Sequence, residues 1–339
     1  MYEQFFGLRE RPFDLSPDPR FLVLTESHGE ALSTLEYAIA SRKGLTLLIG
    51  EAGLGKTTLL RAAIDKQPER VHVIYIQNPV LSRGEFVELL ARRFGLSREA
   101  HASKTTLLVE IEELVNQARR MGETTLLVID EAQSLPPELL EEVRLLANIE
   151  TNSERLLSVI LAGQPELASR LNQPDLRQFK QRIALRCQLR RLTADETIGY
   201  LAGRVSTAGG TGRDVFTRDA VAEIFGRSGG VPRTASVIAD NALLAGFAAG
   251  TRPVTAQLVR EVCVDLDLPE PTPERATAVE DSRGSEPVDT ATALQLLRAR
   301  VSLPAEQQPA VPSATRGKDA ARPLFASFVR RRRFLFFGR

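Results

Sequence analysis

Cysteine is scarce in this sequence, net charge is almost absent, and no apolar run is long. The two cysteines, Cys187 and Cys263, each lie in an apolar-looking segment. They read as small core residues in a reducing compartment rather than as two halves of a disulfide. Lysine and arginine number 44 against 43 aspartates and glutamates, a net charge of +1, which argues against global electrostatic capture by nucleic acid or membrane. No stretch approaches the roughly 20 apolar residues that a bilayer-spanning helix needs. The start, Met1 to Arg9, lacks the basic-then-apolar order of a secretory leader. No internal repeat is visible. These absences set the expectation of a cytoplasmic protein. With 339 residues, 43% hydrophobic and 26% charged, the chain suits one large core or two smaller ones.

What is present is concentrated at Gly50-Glu51-Ala52-Gly53-Leu54-Gly55-Lys56-Thr57, followed by Thr58. The apolar run Leu45–Ile49 leads into this stretch as a buried strand, and a helical segment to Ile64 leads out. Glycines at 50, 53 and 55 let the backbone turn tightly and aim successive N–H groups inward, where they cradle a di- or triphosphate. The positive end of the following helix adds to that field. Lys56 is placed to reach the β and γ phosphates, and Thr57 offers its hydroxyl to Mg²⁺. The stretch predicts binding of ATP or GTP with Mg²⁺.

Four more strand candidates follow: Val71–Ile76, Thr125–Ile129, Leu156–Leu161 and Ala184–Leu189. They alternate with helical patterns near Gly84–Phe94, Lys104–Met121 and Pro137–Glu150, after an earlier helix over Ser27–Ser41. Strands alternating with helices of this length predict an α/β fold, a mainly parallel sheet covered on both faces. Its phosphate loop then lies at a strand's carboxyl end. Residues 1 to about 25, with prolines at 12, 17 and 19 among aromatics, predict an extended arm packed on the core rather than a helix. After Thr193 the strand pattern stops. Ala194–Thr207, Thr217–Arg227, Pro232–Ala249 and Thr255–Val264 read as a four-helix module with turns at Gly209-Gly210 and Gly229-Gly230. Four spans result: a core over 1–192, the helical module over 193–268, a linker over 269–315 and a tail over 316–339.

The strand candidate ending at Ile129 runs into Asp130 and Glu131. A carboxylate at Asp130 is placed to hold Mg²⁺, directly or through water, beside the Thr57 hydroxyl. Glu131 suits a different task, orienting and polarising a water for in-line attack on the γ-phosphate. A strand ending at a solvated acidic turn is common in α/β proteins; the phosphate loop upstream is what favours the catalytic reading.

Several segments together resemble the ExeA/GspA-type AAA+ ATPases. They are Phe6-Gly-Leu8, Pro12-Phe13, Pro17 to Leu22, Ser27-His28 and Glu30-Ala-Leu32 near the start, then Gly50–Thr58, Asp130 to Gln133 and Glu138 to Thr151. Leu161 to Leu167, Gln181-Arg182-Ile183 and Gly229 to Arg233 complete the set, which spans residues 1–265. The resemblance implies a P-loop NTPase (AAA+) fold, a three-layer αβα core with a parallel sheet followed by an all-α lid domain. It also implies ATP rather than GTP, and hydrolysis to ADP and phosphate. Gln164 falls at the first-sensor position, where a polar side chain contacts the γ-phosphate or the attacking water. Arg182 matches the arginine offered to a neighbouring subunit's nucleotide, with Arg177 and Arg186 as alternatives. Arg233 falls at the second-sensor position, coupling the phosphates to lid movement. A finger acting in trans implies a homo-oligomer.

Relatives of this type serve type II secretion, pilus assembly and surface-polysaccharide export, and more distantly transposition. Secretion-type relatives continue into a membrane span and a periplasmic peptidoglycan-binding domain, neither of which is seen in these 339 residues. That shifts the expectation towards a cytoplasmic partner of an envelope-export or polysaccharide-assembly system. The alternative is an ATP-dependent DNA-binding regulator of the transposition type; a nucleotide-sensing scaffold with little hydrolysis is a third reading. The tail, Arg316–Arg339, is rich in arginine and phenylalanine. Such a segment suits peripheral contact with an anionic membrane, nucleic-acid phosphate with stacking aromatics, an acidic partner protein, or an unconstrained soluble end.

Overall fold

Five apolar runs form one sheet: β1 (Leu45–Ile49), β2 (Val71–Gln77), β3 (Thr124–Asp130), β4 (Leu157–Gly163) and β5 (Ile183–Gln188). Their order is β2-β3-β4-β1-β5, and every pairing is parallel. The computed structural model describes residues 1–270, apart from 78, 151–154 and 212–214, together with residue 295. The tail 316–339 and nearly all of the linker, including a short helix expected over 290–301, lie outside the described residues.

The helices, in chain order, are α1 (Tyr2–Phe5), α2 (Glu26–Ala40), α3 (Lys56–Asp65), α4 (Arg83–Phe94), α5 (Lys104–Arg120) and α6 (Pro137–Ala147). They continue with α7 (Pro165–Leu171), α8 (Arg177–Gln181), α9 (Ala194–Thr207), α10 (Arg218–Ser228), α11 (Pro232–Ala249) and α12 (Ala256–Asp265). β1 and β4 are buried at every residue because helices cover both sides of the sheet. On one face Leu47, Leu127 and Leu161 pack with Phe86, Leu90, Ile111, Leu139 and Phe179. On the other, Leu48, Val128 and Ile160 pack with Leu32, Leu35 and Ile39 of α2 and Leu59 and Leu60 of α3. This is the three-layer αβα arrangement that the alternating pattern predicts. Strand β1 sits between β4 and β5, where the strand order changes sides, so its carboxyl end opens on the crevice that such sheets use for ligands.

Local chemistry sets the element ends. α4 and α9 begin with reciprocal capping boxes, Ser82 with Glu85 and Thr193 with Glu196, each satisfying two otherwise orphaned N–H groups. α6 stops at Ala147, short of the Glu150 expected from its apolar pattern. Glu150 instead forms an antiparallel bridge with Arg155, and Leu156 N–H donates to Ile149 O, turning the chain back into β4.

The amino-terminal arm corrects an expectation. It contains the one-turn helix α1, and its buried aromatics pack into the helical module, while Leu22 and Leu24 pack against the sheet's core. Tyr2, Phe6, Leu8, Phe13 and Phe21 share a buried cluster with Leu201, Val221, Ile224, Ile238, Leu243 and Val259. Arg204 of α9 fastens the arm by donating to Pro12 O at 2.6 Å and Asp14 O at 2.9 Å, while Arg61 of α3 donates to Pro17 O at 2.7 Å. The physical reason is area. Four short helices enclose little apolar volume, whereas both faces of the sheet already have their cover, so the arm's aromatics gain most by completing the smaller core.

Both cysteines are free and buried. Burial pushes the Cys187 thiol up to about 12 and that of Cys263 up to about 11. Since the thiolate is the nucleophile, neither should be alkylated by iodoacetamide near pH ~8 in the native protein, and both should be in denaturant. Mass spectrometry of the native reaction checks this; labelled Cys187 would mean that β5 opens. Among the described residues no helix is long and apolar enough to cross a membrane.

Candidate nucleotide site

The loop from Gly50 to Gly55 joins the end of β1 to α3, whose first residue is Lys56. Gly53 and Gly55 lie at φ +80° and +89°, left-handed backbone that side-chain-bearing residues rarely adopt. Gly53 is doubly constrained, because a Cβ there would lie 2.8 Å from Arg233 Cβ. Lys56 is 4% exposed and donates from Nζ to Gly50 O at 2.8 Å and Glu51 O at 3.1 Å. Burial pulls its ammonium below the usual lysine range, opposed by the charges of Glu131, Asp130 and Glu166. Ala52 is exposed at the rim and Thr58 half-buried in the first turn of α3.

Strand β3 brings its terminal acid directly to this loop. Asp130 is fully buried, and its Oδ2 accepts from Thr57 Oγ1 at 2.6 Å and Tyr75 Oη at 2.8 Å. Its Oδ1 accepts from the Glu131 N–H at 2.9 Å. The Tyr75 phenol is raised well above its ordinary range, first by burial and then by Asp130, so it remains a donor. Glu131 adopts φ 56° and ψ 39°, a strained geometry for a residue with a side chain and one that concentrates at functional sites. Its Oε2 accepts from Gln133 Nε2 at 2.5 Å and Gln164 Nε2 at 3.4 Å. Gln133 Oε1 in turn accepts from the Gln164 N–H at 3.1 Å. Gln164 directly follows β4 as the N-cap of α7, so neighbouring strands deliver Glu131 and Gln164 to one spot.

The residues fit a magnesium ion of the phosphate-bound kind. Mg²⁺ takes one or two protein oxygens and fills its remaining positions with phosphate and water, and the Thr57 hydroxyl and Asp130 carboxylate meet at the loop. No cluster of three or more His, Cys, Asp or Glu placed to hold a metal unaided occurs among the described residues.

The helical module touches the loop through its main chain. Arg233, the second residue of α11, donates its N–H to Gly53 O at 3.2 Å, while its side chain is exposed. Next to it, Leu192 N–H donates to Gly230 O at 2.8 Å. Arg182 stands apart from this cluster: it caps the end of α8 and leads into β5, the sheet's edge strand. Arg177 and Arg186 are exposed on the same outer stretch.

Two participants carry no local signal. Tyr75 is one apolar-run residue among several in β2, and only the pairing of β2 with β3 brings it to Asp130. Arg191, visible only as part of an arginine-rich stretch, grips Glu51 with Nε at 2.9–3.0 Å and Nη2 at 2.5 Å, across 140 residues of chain.

A parallel sheet with this strand order, a glycine-rich loop meeting a strand-end acid, and a helical bundle after the sheet define a P-loop nucleotide-binding protein of the AAA+ class. Residues 39–171 match the AAA domain family. The chain is similar to the ExeA/GspA-like AAA+ ATPases: it is 39% identical over 254 residues to General secretion pathway protein A of Aeromonas hydrophila. That similarity covers 75% of this chain and 46% of the relative, so the chain spans about half the relative's length. Among solved structures, the fold is similar to the ORC2 protein of Aeropyrum pernix in ADPNP–ADP complexes, with TM-score 0.56 and 20% identity over 76% of this chain and 71% of that one. It is also similar to Cdc6p from Pyrobaculum aerophilum, with TM-score 0.51 and 15% identity over 86% and 97% of the two chains.

Proposed function

We propose that this protein binds Mg²⁺ and ATP at the Gly50–Thr58 loop, hydrolyses the nucleotide to ADP and phosphate, and uses the cycle to drive or regulate assembly of a cell-envelope export system. The observation that carries the enzymatic reading is the junction of Thr57, Asp130 and Glu131, with Glu131 held by Gln133 and Gln164. In this reading the loop amides and Lys56 hold the β and γ phosphates. Thr57 and Asp130 hold the ion, which supplies charge neutralisation on the phosphates. Glu131 orients a water and takes its proton, and Gln164 holds the same water or the γ-phosphoryl oxygen. Arg233, seated beside Gly53, reports the state of the phosphates to the helical lid.

Arg182, on the outer edge and away from its own loop, suits a neighbouring copy's nucleotide, where a guanidinium would offset the developing charge. This reading requires a homo-oligomer. The export role, whether secretion, pilus or polysaccharide, rests on the similarity to General secretion pathway protein A. In our reading the protein works in the cytoplasm, with the 316–339 tail making peripheral contact with the inner membrane. Purified protein given ATP and Mg²⁺ should release phosphate in a steady state, and excess EDTA should abolish that release. Nucleotide-independent behaviour in both release and binding assays would overturn the proposal.

A further inference from the structure

A buried histidine reaches the phosphate loop from below. Thr25 is the N-cap of α2, and His28 stands in that helix's first turn, three residues on and therefore on the same side. The two are 1% and 3% exposed. His28 Nδ1 lies 2.7 Å from Thr25 Oγ1, and Nε2 lies 2.9 Å from Leu54 O. A carbonyl oxygen only accepts, so Nε2 carries the proton. In the neutral ring Nδ1 is then an acceptor, and the threonine hydroxyl donates to it. Burial holds the imidazole below its ordinary range, which favours this neutral form.

The consequence follows from the planarity of one peptide bond. The Leu54 carbonyl and the Gly55 N–H belong to the same trans peptide and point in opposite directions. Fixing Leu54 O on the histidine therefore aims the Gly55 N–H at the other side of the loop, into the phosphate cradle. Without that anchor the peptide is free to turn over, because Gly55, at φ +89°, tolerates either half of backbone space. A turned peptide would present a carbonyl oxygen to a phosphate oxygen.

We infer that His28 is a positioning residue for phosphate binding, holding the Leu54–Gly55 peptide with its N–H inward. This inference rests on the nucleotide reading of the loop and names a part of it outside the loop itself. The effect should be on affinity, since the oriented amide serves both ADP and ATP.

The test compares ADP binding, by calorimetric titration with Mg²⁺ present, across the wild-type chain, His28→Leu and His28→Gln. Leucine fills the space without a donor, whereas glutamine brings an amide nitrogen to similar reach. His28→Leu should weaken binding by about tenfold or more. His28→Gln should stay within about threefold of wild type, a rescue that a merely space-filling role would not produce. Should the leucine variant fail to fold by circular dichroism, Thr25→Val removes the donor that fixes the ring and should cost about threefold or more. Wild-type affinity in His28→Leu, equal losses in both His28 variants, or wild-type affinity in Thr25→Val would overturn the inference while leaving the nucleotide reading in place. A wild-type chain that binds no nucleotide would instead overturn that reading, and this inference with it.

Discussion

Replacing Glu131 by glutamine should leave nucleotide affinity within about threefold of wild type and slow phosphate release by about 10²–10⁴-fold, the range typical of losing a positioned general base. The substitution is nearly isosteric. Its amide oxygen still accepts from Gln133 and Gln164, which now bond to Glu131 Oε2, and the left-handed backbone at φ 56° is demanded equally of both side chains. Asp130 keeps its hydrogen bonds from Thr57 and Tyr75, so the loop junction is undisturbed. What disappears is a group able to take a proton from water. Steady-state phosphate release read beside a nucleotide titration separates the two effects. Unchanged release would remove Glu131 from the chemistry.

The second large effect is structural and falls where the sheet meets the helical module. Gly230 lies at φ +75°, and a Cβ there would sit 2.1 Å from Leu192 O and 3.1 Å from Leu192 C and N. These are main-chain atoms, fixed in turn by the Leu192 N–H to Gly230 O bond of 2.8 Å, so no side-chain rotation relieves the clash. Gly230→Ala should therefore cost about 3 kcal/mol, from backbone strain together with overlap. The melting temperature should fall by about 5–10 °C. Gly84→Ala is the matched control: it lies in α4 with nothing within 4 Å of a Cβ, and should shift stability by less than about 1 kcal/mol, in the favourable direction. Equal melting of the two variants would show that the junction yields where the geometry says it should not. The change at Gly230 should also weaken nucleotide binding, because Val231 and Arg233 follow it directly and pack on Gly53.

How much of this was legible beforehand follows the range of the interactions involved. Leu45–Ile49 reads as a strand because five consecutive apolar residues fit a strand buried on both faces. Ala194–Thr207 and Pro232–Ala249 are legible to the residue, because Thr193 and Glu196 mark one start, Pro232 the other, and Gly250 stops the second in left-handed backbone. The phosphate loop is contiguous and so carries its own signature. Tyr75 and Arg191 are different. Each acts through a pairing set by strand order or by chain far away, and neither residue type is unusual where it stands. The arm illustrates the same boundary. Its aromatics announce that they will be buried, but nothing local says in which of two cores.

That last arrangement has a cost in time. Phe6, Phe13 and Phe21 leave the ribosome well before the surface they cover, which runs from Leu192 to Cys263. At about 5–20 residues per second, the delay is on the order of tens of seconds, during which three phenylalanines have no native shelter. A nascent chain of this design is a natural client for chaperones that hold early apolar segments. Pulse-labelled synthesis should show residues 1–25 becoming protease-resistant only after α12 has emerged.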